Sequence, residues 1–240
     1  MLPGPNTENP LGDFGDFGDS PRRLRQPAAS RAFDIVAMTA SLGGLEALSR
    51  VLGALPPDFP APVLVVQHMS ARYPSHLAEI LSKRCMLPVT WTYPGQRLYG
   101  SGIYVAPPDW HLLVGTGGAI QLSRQPRVQF VRPSADVLFE SVAAVYRERA
   151  VGVVLTGLCA DGAYGASAIK RAGGRVLTQD RATSRAFGMP QATITTGCVD
   201  FVLPLPTIAP ALVALTMVPG AASLLSRTMR AASGASRLLR

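Results

Sequence analysis

From residue 33 onward, short and nearly unbroken apolar runs alternate with longer segments whose apolar residues recur every three or four positions. The first kind predicts buried strands and the second predicts helices that lay one face on a core. Strands are expected at 33–38, 63–66, 89–93, 151–155, 175–178 and 199–203, and helices at 43–55, 74–83, 135–146, 161–172 and 208–217. Leu45, Leu48, Leu52 and Leu55 carry the helical period of the first helix, Pro74 opens the second, and Ser134 stands at the N-cap position of the third. Gly173-Gly174 ends the fourth. Between 94 and 134 the chain is rich in Gly and turn signals, and 103–106, 111–114 and 119–122 read as short antiparallel strands. The alternation predicts an α/β fold, three-layered and doubly wound, with a mostly parallel sheet and a short antiparallel hairpin segment.

Residues 1–32 break this pattern. Pro, Gly, Asp and Arg dominate there, and Gly-Asp-Phe occurs twice, at 12–14 and 15–17. Such a stretch lacks the apolar surface to offset its ordering entropy, so it is expected to be disordered. A catalytic domain is expected over 33–217 and a basic tail over 218–240. At 240 residues with 48% apolar composition, one sizeable core is within reach.

The net charge of +8 sits largely at the ends, with Arg22, Arg23, Arg25 and Arg31 before the first strand and Arg227, Arg230, Arg237 and Arg240 in the tail. No aromatic residues are interleaved with these arginines, which argues for solvated tails rather than a nucleic-acid surface. No apolar run approaches the roughly 20 residues of a membrane span, and no secretory signal pattern opens the chain. A cytoplasmic protein without membrane insertion is the expectation. The three cysteines, Cys85, Cys159 and Cys198, are odd in number and scattered, against a disulfide framework or a structural zinc site.

Active sites of open parallel sheets lie beyond the carboxyl ends of the strands. Three such ends carry suggestive side chains, Ser41, His68 and Asp161. A serine hydroxyl needs a base, imidazole is suited to that task near neutral pH, and a carboxylate orients the imidazole and stabilises its charged form. Gly43-Gly44 after the serine would let a ligand approach backbone N–H groups at a helix start, and oxyanion donors are expected near Leu42 or Leu158. Spacing alone leaves separate structural roles open, such as a helix-capping Asp161. Of the other histidines, His76 reads as a surface residue and His111 as a pocket-lining one.

At these residues the chain resembles the catalytic domain of CheB-type chemotaxis methylesterases, over about residues 34–216. The similarity runs through Ala37-Met38-Thr39-Ala40-Ser41-Leu42-Gly43-Gly44, Val65-Val66-Gln67-His68-Met69 and Tyr104-Val105-Ala106-Pro107-Pro108-Asp109 with His111. It continues through Arg132-Pro133-Ser134-Ala135-Asp136-Val137-Leu138-Phe139, Leu155-Thr156-Gly157 with Asp161-Gly162, Gln179-Asp180 and Phe187-Gly188-Met189-Pro190. The resemblance implies a protein-glutamate methylesterase, a serine carboxylic-ester hydrolase. It would release methanol from glutamate methyl esters on the cytoplasmic helices of methyl-accepting chemoreceptors and act also as a glutaminase. Ser41 would be the nucleophile, His68 the proton shuttle and Asp161 the orienting acid, with no cofactor and no metal.

Departures are visible. Thr39 and Leu42 stand where the family usually has glycine and threonine, and Leu158-Cys159 where it has Met-Gly. They motivate an alternative, a catalytically weak or inactive scaffold in a chemosensory-like signalling system. Residues 1–32 are too few for the receiver domain that commonly precedes such a hydrolase. The expectation is a stand-alone or truncated hydrolase, or one under a separate regulatory signalling protein, whose rate does not change when 1–32 is removed.

Overall fold

The computed structural model describes residues 33–70, 73–218 and 221. The readings made for 1–32 and for nearly all of the tail lie outside these residues. Nine strands and six α-helices follow one another among them. They are β1 (Ile35–Ala40), α1 (Gly44–Gly53), β2 (Pro62–Gln67), α2 (Leu77–Ser82), β3 (Val89–Trp91), β4 (Gly102–Val105), β5 (His111–Val114), β6 (Ile120–Ser123), α3 (Ala135–Tyr146), β7 (Ala150–Val154), α4 (Ala163–Arg171), β8 (Arg175–Gln179), α5 (Gly188–Thr195), β9 (Phe201–Leu203) and α6 (Leu205–Met217).

Seven strands form one sheet in the order β3-β4-β2-β1-β7-β8-β9, every pair parallel. The central strands β1 and β7 are buried along their whole length, which is why they read as unbroken apolar runs. Alternate β1 residues feed two cores. Val36, Met38 and Ala40 pack with α1, α2 and α6, whereas Ile35 and Ala37 pack with α3, α4 and α5. The three layers are therefore helices, sheet and helices.

Two expectations are corrected. The strand read at 103–106 is not antiparallel. It is β4, inserted parallel between β3 and β2, and only β5 and β6 make the antiparallel hairpin. Its Ile103, Tyr104 and Val105 are all buried, as an inner strand requires. The sequence pattern also passed over α5. Gly188 and Pro190 look like loop residues, yet Pro190 falls in the first turn, where an amide N–H has no helical acceptor to lose.

Thr39 carries a local defect. It is fully buried in β1, and its Oγ1 has no hydrogen-bond partner among the described residues. An unsatisfied buried hydroxyl costs about 1–3 kcal/mol. Thr39→Val keeps the shape without the hydroxyl and is expected to stabilise the fold by about 1 kcal/mol, a rise in Tm of roughly 2–4 °C. A melting curve shifted downwards would mean that the hydroxyl has a native partner after all.

Candidate active site

Strand order places the site. Going from β1, the chain builds outwards to β2 on one side and later to β7 on the other, so the winding reverses between β1 and β7. Such a reversal opens a crevice at the carboxyl ends. The register is level there: Ala40 pairs with Gln67, and Thr39 with Val154. Ser41 and His68 are thus the next residues on strands about 5 Å apart. The Ser41 N–H donates to the Thr156 carbonyl at 2.9 Å and the His68 N–H to the Ala40 carbonyl at 3.0 Å, extending the ladder by one rung on each side. The Gln67 amide donates to the carbonyls of Ser41 and His68 at 2.8 and 3.0 Å and ties the two strand ends together.

Ser41, Leu42, Gln67, His68 and Thr156 line one open cleft of about 1450 Å³. Gly43 turns the chain into α1 at φ 81, a left-handed conformation that glycine adopts without strain. The N–H groups of Leu42 and Gly43 have no acceptor among the described residues and belong to the residues just before α1, a setting that favours negative charge. Across from them, a Cβ on Gly157 would lie 2.1 Å from Met189 Sδ and 2.9 Å from Ser41 Cβ, so only glycine fits beside the serine.

His68 and Asp161 are brought together, with Nε2 2.8 Å from Oδ2. Asp161 is fully buried and held from three further sides. The Ser134 hydroxyl donates to Oδ1 at 2.7 Å, the Ala135 N–H to Oδ2 at 2.6 Å and the Asp136 N–H to Oδ1 at 3.2 Å. The carboxylate therefore sits on the N-terminus of α3. Ser134 occupies the N-cap position there, as expected, but its side chain does not cap; it serves Asp161, and Asp161 caps the helix. The arrangement is reciprocal. Asp136, in the first turn of α3, accepts from the Gly162 and Gly165 N–H groups at 2.9 and 2.8 Å, at the start of α4.

These contacts set the protonation states. Burial alone would lower the pKa of His68, but the hydrogen bond to Asp161, a weaker one to Cys159 and their charges outweigh it and raise it to about 9. Burial would push Asp161 up, yet its bonds to His68, Ser134 and Ala135 bring it below the usual carboxylate range. Asp136 is pushed up to about 6, by burial first and by the neighbouring Asp161 charge.

Ser41 is near but not joined. Its Oγ makes no hydrogen bond among the described residues, and the second nitrogen of His68, Nδ1, lies 3.7 Å from Cys159 Sγ instead. Nothing in the sequence pattern pointed to Cys159 as a neighbour of the imidazole. The other histidines stand apart. His76 is exposed at the start of α2. His111 is buried, takes the Ser134 N–H on Nδ1 at 3.2 Å and donates from Nε2 to the Pro126 carbonyl at 3.1 Å. It is thus a strut behind Ser134 rather than a pocket residue, and burial lowers its pKa. Among the described residues no group of three or more His, Cys, Asp or Glu could hold a metal, and no helix is long and apolar enough to cross a membrane.

Comparison with known proteins shows the family and the fold. Residues 36–212 match the family model for CheB methylesterase. The chain is 45% identical over 195 residues to protein-glutamate methylesterase/protein-glutamine glutaminase 2 of Anaeromyxobacter dehalogenans, covering 81% of this chain and 57% of that protein. A putative protein-glutamate methylesterase/protein-glutamine glutaminase of Leptospira interrogans is 37% identical over 177 residues, 74% of this chain and 92% of that one. The crystal structure of the Thermotoga maritima CheB methylesterase catalytic domain superposes with a TM-score of 0.74 at 34% identity, covering 77% of this chain and 99% of that one. The chain spans under two thirds of the length of six of the relatives it matches, from 51% to 60%.

Proposed function

The chain belongs to the CheB methylesterase family, and from that premise we propose that it is a protein-glutamate methylesterase and glutaminase acting on methylated chemoreceptor helices in the cytoplasm. Ser41 Oγ attacks the ester carbonyl carbon, and His68 takes the hydroxyl proton and returns it to the departing methoxide, releasing methanol. Water then attacks the acyl-serine, His68 again moving the proton, and a free glutamate side chain leaves. For a glutamine side chain the same steps release ammonia. Developing negative charge on the carbonyl oxygen falls to the free N–H groups of Leu42 and Gly43. Asp161 is the positioning carboxylate that holds Nε2 and leaves Nδ1 for the serine. The carrying observation is that His68, which lines the same cleft as Ser41 at the winding reversal of the sheet, is held at 2.8 Å by the buried Asp161.

Methanol release from methylated receptor fragments tests the reading, and its pH dependence tests the base. With a pKa of about 9, His68 is largely protonated at pH 7, and only about 1% is available as a base. For the free protein, kcat/KM is expected to climb close to tenfold per pH unit from 6 to 8 and to level near 9. A profile already flat above pH 7 would show that the titrating base does not carry the raised pKa that contact with Asp161 gives His68.

The scaffold alternative draws on one observation, the missing hydrogen bond from Ser41 Oγ to His68. Methanol release at the level of buffer alone, from a folded protein that still binds receptor fragments, would favour it.

A further inference from the structure

Cys159 is a member of the site loop for which ester hydrolysis has no use. Its Sγ lies 3.7 Å from His68 Nδ1, the nitrogen opposite the one held by Asp161. Thiol, imidazole and buried carboxylate therefore stand in an unbroken chain, whereas Ser41 Oγ has no bond to the same imidazole. The thiol is half-buried between exposed Leu158 and Ala160, so a small reagent can reach it. The charged and titratable groups around it are His68 at the end of β2, Asp161 in its own loop and, behind Asp161, Asp136 of α3.

We propose that Cys159, His68 and Asp161 form a reactive-thiol centre, a modification site for small disulfides that shares its imidazole with Ser41. His68, already imidazolium at neutral pH, holds Cys159 as a thiolate through its Nδ1–H, the thiol proton having passed to solvent. The thiolate attacks one sulfur of the disulfide, the S–S bond breaks, a mixed disulfide forms on Cys159, and the other half leaves as a thiolate into solvent. The group left on Cys159 stands over the nitrogen that the serine needs. Burial pushes the Cys159 thiol up, but the bond with His68 and the Asp161 N–H outweigh it and leave it below its ordinary value. Cys85 is the contrast. Among the described residues it has no such partner, and burial pushes it up to about 11.

The test treats the full chain with 5,5′-dithiobis(2-nitrobenzoate) at pH 7 and follows each cysteine by peptide mass spectrometry. Cys159 is expected to react at least about tenfold faster than a cysteine in an unstructured peptide. Its rate should inflect well below pH 8.5, and His68→Asn should slow it at least tenfold. A rate no faster than the peptide thiol overturns the proposal, as does an unchanged rate in folded His68→Asn. Should that variant not fold, the wild-type profile decides, and an inflection at or above about pH 8.5 overturns it. Labelling reads the thiol and not ester hydrolysis, so its outcome is independent of the role of Ser41.

Discussion

Replacing Ser41 by alanine is expected to lower methanol release by about 10⁴- to 10⁶-fold and to leave Tm unchanged. The two halves of this expectation have separate causes. Without Oγ no acyl intermediate forms, and the remaining N–H groups near Leu42 and Gly43 stabilise charge without a nucleophile to develop it. The fold, by contrast, does not use the hydroxyl. Ser41 engages its surroundings through its backbone, by the N–H to Thr156 and the carbonyl to Gln67 and Gly44. Methanol assays and melting curves on the same preparation read both. A folded Ser41→Ala variant that keeps the wild-type rate would show that another group attacks the ester, and Cys159 would be the first to examine.

Asp161→Asn should be damaging in both respects. A carboxylate in this position only accepts hydrogen bonds, and it meets four donors. The amide must turn its NH₂ towards one pair of them. Facing His68 and the Ala135 N–H, it opposes a backbone donor and forces the wrong imidazole tautomer. Facing Ser134 and the Asp136 N–H, it keeps the tautomer but opposes the other backbone donor. Either way the negative charge that stabilises imidazolium and complements the start of α3 is lost. The expected result is a rate about 10³- to 10⁴-fold lower and a stability about 2–4 kcal/mol lower. The stability term has a defined pH sign. The folded pKa of Asp161 lies below the ordinary carboxylate value, so its contribution is present above that value and is lost as pH falls through the folded one. Wild type and variant should therefore converge in stability under strongly acidic conditions, as urea titrations at several pH values would show. Equal stability at neutral pH would mean that Asp161 is not the anchor of α3.

Much of the sheet was legible because its inner strands are buried on both faces, and such strands announce themselves as runs like Val63-Leu64-Val65-Val66. Ser41, His68 and Asp161 were legible as residues just past such runs. What escaped was set by pairing and by contacts distant in sequence. Whether β4 joins the sheet or a hairpin depends on its neighbours β2 and β3, and an apolar run of four residues carries no record of strand direction. The early start of α6 was hidden by Pro206, which suits a first helical turn but reads as a breaker. Ser134 was seen as a local cap because capping is a short-range signal. Its bond to Asp161, 27 positions away, is not. The Cys159 contact with His68 spans 91 positions and likewise leaves no trace in either local pattern.

Residues that perform chemistry are commonly held at some cost to the folded state, so that substitutions there stabilise the protein while harming its activity. Asp161 inverts that relation, because the charge that aligns the imidazole is also the charge that starts α3, while Asp136 returns the service to α4. Selection for a sturdier fold and selection for a faster enzyme then act on this position in the same direction. A stabilisation screen blind to activity would reject changes at 161 and reach the defect at Thr39 instead. Improvements in robustness should accumulate around the site without eroding it.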